Sequence, residues 1–441
     1  MPIPHDIPLP LPVDRVLLQA IIIIVFLGHI VFVNLMVGGA MFAVIFEIIG
    51  RRRPDFDTLA HEVANTVTVN KSLAVVLGVG PLLAINLLYT MWFYSANALT
   101  GHAWISIVPL VTTAFLLLYA YKYSWDRLAR AKVLHIAIGA MGLAILLVVP
   151  VIFLTNINLM LFPTRWTQVR GFLSAAVLPN VWPRYLHFLL ACIAVNGLFM
   201  LGWLTRAGYP VETKFQQLDR ATLRKLFYAI AAGATSLQLF AGPLVLLTLP
   251  REGRSIMLYV IIGIGATFAL TIIVLMWREV GSPRDRVGKL FVPVVGLLMV
   301  TGSCMGYGRH VYRETATADL RRQMAQRTAD YTYAAVAADW RARHGVVQEN
   351  LPLGPRVYRD SCSTCHAVDH ILVGPSVQEI ARLYKDNPAG IVTWARAPFK
   401  KRNGFPTMPA MTLPATHLQA VAEHMLAIGS AASQPATGPA R

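Results

Sequence analysis

Cys362-Ser363-Thr364-Cys365-His366 is the stretch of this chain whose residue types and spacing point most directly to a chemistry. Two thiols three positions apart, followed at once by an imidazole, match the C-x-x-C-H signal for covalent haem attachment. The thiols add across the two vinyl groups of a porphyrin, and the adjoining histidine is then held against the iron as an axial ligand. The spacing is restrictive, because two thioethers and an imidazole must fit one porphyrin edge. A chance cysteine pair or a redox dithiol is the competing reading.

Residues downstream support the haem. Gly374-Pro375 follows the motif, and Met408-Pro409 lies about forty residues further on, ahead of an amphipathic helix over Leu413 to Ile428. That order resembles a class I cytochrome c, in which a thioether from a Met-Pro segment supplies the sixth ligand. The resemblance implies one covalent haem c on Cys362 and Cys365, with His366 and Met408 on its iron. A His/Met pair raises the iron potential and suits electron transfer. Met411 competes with Met408; Met408 is preferred because it precedes proline and lies a few residues ahead of the final helix.

The elements that position these residues begin with a membrane. The chain has 441 residues, 56% hydrophobic and only 14% charged, and its apolar residues come in long runs. A helix needs ~20 apolar residues to cross the hydrocarbon core. Runs of that kind lie at about 16–49, 73–98, 103–121, 134–155, 185–205, 226–249, 256–277 and 290–307. They predict an all-α chain: a polytopic bundle of about eight spans, then a small all-α haem domain. The pairs Gly38-Gly39 and Gly263/Gly265 would let helices approach closely. Met1 to Pro12 is proline-rich rather than basic, so no cleavable signal is expected there.

Lys and Arg set the orientation. The odd-numbered loops hold 17 of them, against six in the N-terminus and even loops. The odd loops are therefore expected on the cytoplasmic side and both termini outside. An even number of spans then delivers Cys362 to the outer face of a bacterial inner membrane, where c-type haem is attached. The net charge of +17 is explained by this orientation and needs no nucleic acid. Cys192 and Cys304 fall within spans and read as packing residues.

The domain reading is a membrane domain over 1–310, a connecting segment over 311–349, a haem domain over 350–430 and a disordered tail over 431–441. The connecting segment contains a polar helix, Ala316 to Ala342. Tyr331, Tyr333, Val336 and Trp340 could form a stripe on it, although a plain connecting helix is the preferred reading.

Ionisable residues inside spans are costly unless they have a partner or a role. His29 stands well inside an apolar segment and is a candidate for a haem or a polar network. His187 opens span 5. His135 and His61 read as structural or solvated.

The stretch from Gly28-His29 to Glu47 resembles the first helix of the large subunit of cytochrome bd oxidases. Leu77-Gly78-Val79-Gly80, Ser124-Trp125-Asp126-Arg127, Tyr185-Leu186-His187 and Gly306-Tyr307-Gly308-Arg309 extend the match in the same order, over about 15–310. The resemblance implies haem b in the membrane, with His29 in the high-spin region and His187 as a low-spin ligand. Its partner methionine falls near Ile261, but Met257, one turn outward, would sit at the depth of His187.

The departures are specific. The family's glutamate ahead of the Gly-Arg motif is Gly306, its span 3 carboxylates fall at Ser106 and Ala114, and Leu249 to Ser255 leaves no long quinol loop. The combination is similar to a bd-like branch with a C-terminal cytochrome c. It implies electron transfer between an outer-side carrier protein and membrane haems, with oxygen or another small ligand as a further acceptor and a second membrane subunit as a partner. A c-type carrier on a redox-inert anchor is the alternative.

Overall fold

The structure is a computed structural model and describes residues 13–344, 351–399 and 404–432. The chain divides into two compact units, one over Pro10–Ala318 and one formed mainly by Asp319–Arg441. Among the described residues, eight helices are long and apolar enough to cross a membrane.

The long helices are α1 (Arg15–Gly50), α2 (Pro54–Leu88), α3 (Thr90–Thr100), α4 (Ile107–Tyr123), α5 (Lys132–Met160), α6 (Val181–Thr205), α7 (Arg220–Thr248), α8 (Ile256–Gly281) and α9 (Phe291–His344), and the first unit holds α1 to α8 with α9 as far as Ala318. Helix is the form that satisfies every backbone group within its own segment, which lipid demands. Three of these helices begin with a side-chain cap. The Asp14 carboxylate accepts from the Val16 and Leu17 amides, Asp219 from Thr222, and the Ser255 hydroxyl from Leu258.

Two boundaries differ from the sequence expectation. The second span begins at Pro54, not near 73, and ends at Leu88, where Tyr89 (φ −133°, ψ 32°) breaks the helix before α3. Pro54 and the first-turn acids Asp55 and Asp57 provide the start signal. Hydropathy marked only the apolar part of this helix. The last span and the polar connecting helix are one uninterrupted element, α9, of 54 residues.

Lipid tails are as apolar as leucine, so these helices associate through close packing rather than water exclusion. α1 lies along α2 and against α6, and α6 along α7; α4 pairs with α5, and α8 packs on α7. Small residues line the seams: Val37, Ala40 and Ala43 meet Ala60 and Val63 of α2, with Ala231 and Ala232 of α7 in the same core. A Cβ on Gly38 would stand 2.2 Å from the Cys192 carbonyl oxygen, so only glycine lets α1 and α6 meet there. Gly39 packs on Val67, and Gly265 on Met305 and Cys304, whereas Gly263 faces open space. Cys192 and Cys304 are both free thiols.

The second unit is also helical: α10 (Leu353–Val357), α11 (Val377–Tyr384), α12 (Pro388–Arg396) and α13 (Ala415–Ala432). α13 packs on the other three. Val357, Val377, Ile380, Val421 and Met425 form its core. Glycines allow the crossings: a Cβ on Gly354 or Gly429 would come within 2.6 Å of a carbonyl oxygen, that of Ala420 or Val377. A plain connecting helix is the preferred reading of the sequence, yet Tyr333 of the alternative stripe joins this core, with its ring 4.6 Å from that of His417. Tyr331 and Val336 are exposed. Most of the tail expected to be disordered lies outside the described residues.

Candidate functional site

Local backbone bonds place the two thiols and the imidazole of the C-x-x-C-H stretch on one tight turn. α10 runs into a wider π-type turn over Tyr358–Cys362, closed by the Ser363 amide donating to the Tyr358 carbonyl at 2.8 Å. The Cys365 and His366 amides both donate to the Cys362 carbonyl, at 3.1 and 2.9 Å. The chain then folds back. The Val373 and Gly374 amides converge on the Cys365 carbonyl, and the Tyr358 hydroxyl donates to the His366 carbonyl at 2.7 Å.

This fold-back fixes the imidazole. His366 Nδ1 lies 2.8 Å from the Pro375 carbonyl, which can only accept, so Nδ1 carries the proton. Nε2 is left with its lone pair, the arrangement that orients a histidine toward a metal. Gly374 lies directly beneath the ring: a Cβ there would stand 2.4 Å from Cε1. Both thiols are free and half-buried, and Cys362 packs against the unit's core. Burial, with Cys365 beside it, pushes the Cys362 thiol up to about 11. The loop after the motif turns three consecutive apolar side chains outward: Ile371, Leu372 and Val373 are 59%, 49% and 50% exposed. A flat apolar group seated at His366 would give them a covering.

Met408 and Met411 are both half-buried on the non-helical segment before α13. The Met411 amide donates to the Ala395 carbonyl at 2.8 Å, tying this segment to the end of α12. Replacing Met408 by alanine is expected to remove the sixth ligand and lower the potential of a haem c without preventing its attachment. Redox titration of Met408→Ala and Met411→Ala separates the two: an unchanged potential in the first and a lowered one in the second transfers the assignment to Met411.

In the membrane unit, His29 repeats the His366 device. Its Nδ1 lies 2.9 Å from the Ala74 carbonyl of α2, and a Cβ on Gly78 would stand 2.9 Å from Cε1. His187, in the second turn of α6, is half-buried, and its Nδ1 is buried with no hydrogen-bond partner. Met257 is 52% exposed at the start of α8. α8 packs chiefly on α7, and the bulk of α6 packing is with α7 and α1.

His135 is used differently. Both ring nitrogens are taken, Nδ1 by Glu47 Oε1 at 2.6 Å and Nε2 by the Tyr121 carbonyl at 2.7 Å, so no lone pair remains for a metal. Glu47 and His135 are fully buried. Lys132 bridges Glu47 (3.3 Å) to Asp57 (2.6 Å) and lies over the Trp125 ring, which stacks on His61. The departures from the bd pattern are filled by packing. Gly306 admits Leu27, Ala114 is fully buried, and the Ser106 hydroxyl donates to the Ala103 carbonyl.

The sequence reading missed Glu47 as a partner for His135, and it counted Arg184 only as a loop charge. The available signal was the cost of any ionisable side chain within a span. Among the described residues, no three His, Cys, Asp or Glu side chains gather as a bare-metal site. Two-point ligation of a haem iron needs no such cluster. Compared with known proteins, the chain matches no family model and no curated sequence.

Proposed function

We propose that this protein is a membrane-bound electron-transfer protein, holding one haem c covalently at Cys362 and Cys365 and haem b in its membrane unit. The observation that carries the reading is the His366 imidazole, tied at Nδ1 to Pro375 and backed by Gly374, beside two free thiols. A haem held there supplies a reversible one-electron couple. His366 and Met408 would bind its iron, and the outward Ile371, Leu372 and Val373 would shield its face from water.

In the membrane unit, His187 offers an unpaired ring nitrogen and His29 an oriented one. They support haem b there, with Met257 as the companion of His187. By the distribution of Lys and Arg, the second unit lies outside a bacterial inner membrane and exchanges electrons with an outer-side carrier protein. Gly306, Ser106 and Ala114 offer no carboxylate, which argues against proton-coupled oxygen reduction by the usual bd route.

The half-exposure of Met257 favours the second reading, a c-type carrier on a redox-inert anchor. His187→Ala decides between them. It is expected to abolish a b-type absorbance band while leaving haem c intact; an undiminished b band sinks the ligand assignment, and no b band in the unaltered protein selects the anchor.

A further inference from the structure

Three arginines converge at the end of the membrane unit where α1 and α6 begin. Arg313 of α9 is only 7% exposed, its Nη1 is buried with no hydrogen-bond partner, and its guanidinium stands 5.2 Å from the centre of the Tyr89 ring. Arg309, one turn earlier, lies 4.6 Å from the Phe26 ring centre. Arg184, in the first turn of α6, is within electrostatic reach of both. Among the described residues, no carboxylate is paired with any of the three. The nearest candidate, Glu314, accepts from Arg15 at 3.2 Å and from the Tyr89 hydroxyl.

Three like charges set close together repel one another, and Arg313, the buried one, also loses its hydration. The faces of Phe26 and Tyr89 offset part of that cost but neutralise nothing. Structural arginines in a membrane unit normally reach a carboxylate or a carbonyl; among the described residues these three make neither bond, and Arg313 Nη1 is buried without a partner. Guanidinium forks are matched by planar or tetrahedral anionic oxygens.

We propose that Arg184, Arg309 and Arg313 form an anion site, anchored on the buried Arg313, for a group with paired anionic oxygens, carboxylate or phosphate. The source is a lipid headgroup, a free oxyanion or the acidic side arms of a cofactor seated near His187, one turn along α6 from Arg184. The site stands on the arginines themselves and holds whether or not the membrane unit binds haem.

The test uses the full chain purified in detergent, unaltered and as Arg313→Gln and Arg184→Gln. Three quantities are read: phosphorus per chain, non-covalent haem per chain, and the thermal midpoint in sodium phosphate against sodium chloride at equal ionic strength. Each variant is expected to lower the midpoint. Phosphorus near one per chain, lost in the variants, identifies a headgroup. A midpoint raised by phosphate, needing at least tenfold more phosphate in the variants, identifies a free oxyanion. Non-covalent haem lost in the variants at constant phosphorus identifies cofactor carboxylates.

An empty cluster gives the opposite sign, since removing one of three repelling charges then stabilises. Midpoints equal or higher in both variants, with phosphorus, haem and phosphate response unchanged, overturn the proposal. Should the glutamine variants fail to fold, Arg313→Lys keeps the charge without the fork. It is expected to weaken the same anion severalfold, and unchanged readings there overturn the proposal as well.

Discussion

Gly374→Ala is expected to abolish the low-spin spectrum of a haem c while leaving Cys362, Cys365 and His366 in place. The added methyl would stand 2.4 Å from His366 Cε1, inside any tolerable carbon–carbon distance, and Gly374 is packed beneath the ring. The imidazole must therefore swing away and give up its 2.8 Å bond to Pro375. Loss of a hydrogen bond at an enclosed polar group costs about 1–3 kcal/mol, a ten- to hundredfold loss of the oriented ring. Covalent attachment depends on the thiols and should survive. Visible spectroscopy of the purified chain reads both quantities at once. An unaltered low-spin spectrum would mean that the ring is oriented by something other than Pro375 and Gly374. Gly78→Ala, opposite His29, makes the matching experiment in the membrane unit: its methyl would meet Cε1 at 2.9 Å, so only a b-type signal should change.

The second large effect concerns stability. Glu47 has no solvent exposure and accepts from His135, also fully buried, and from Lys132. Glu47→Ala removes the anion and strands the buried His135 donor at the junction of α1, α4 and α5. Breaking a buried ion pair by deleting one partner costs about 3–5 kcal/mol. Glu47→Gln keeps an acceptor and the shape, so its cost should be nearer the ~1–3 kcal/mol of a weakened buried hydrogen bond. Asp57, partly exposed, still holds Lys132 and limits the loss at that end. The thermal midpoint in detergent orders the three proteins, with the alanine variant lowest. A midpoint for Glu47→Ala indistinguishable from the unaltered chain would show that the cluster contributes nothing net.

The helices were legible where hydropathy speaks. Six of the eight apolar runs lie in a single long helix to within a residue, because twenty apolar residues in sequence have one viable form in lipid; the runs at 73–98 and 103–121 are each divided, at Tyr89 and at Ser106. The polar half of α2 and the polar half of α9 were harder, since a solvated helix leaves no hydropathy mark. Pro54, Asp55 and Asp57 did carry a start signal for α2. No proline interrupts α9 between Pro293 and its end, which allows one uninterrupted helix.

The turn that carries Cys362, Cys365 and His366 was legible because the three residues are nearly adjacent in the chain. Gly374 and Pro375 could be noticed in the sequence, but their use, one as space and one as acceptor, depends on a fold-back of eight residues. Clusters assembled across the chain stayed hidden. Glu47 and His135 are 88 positions apart, and Arg184 meets Arg309 and Arg313 from another helix. Counting charges per loop assigns such residues a side of the membrane, not a partner.

The central claim is that the chain carries covalent haem at Cys362 and Cys365 together with haem in the membrane unit. A pyridine haemochrome spectrum of the purified protein tests it most directly, with non-covalent haem extracted and counted apart from covalent haem. The expected result is one covalent haem c per chain that is lost in Cys365→Ala, and at least one extractable haem b. Absence of covalent haem from protein matured in a host that attaches c-type haem would contradict the account at its root.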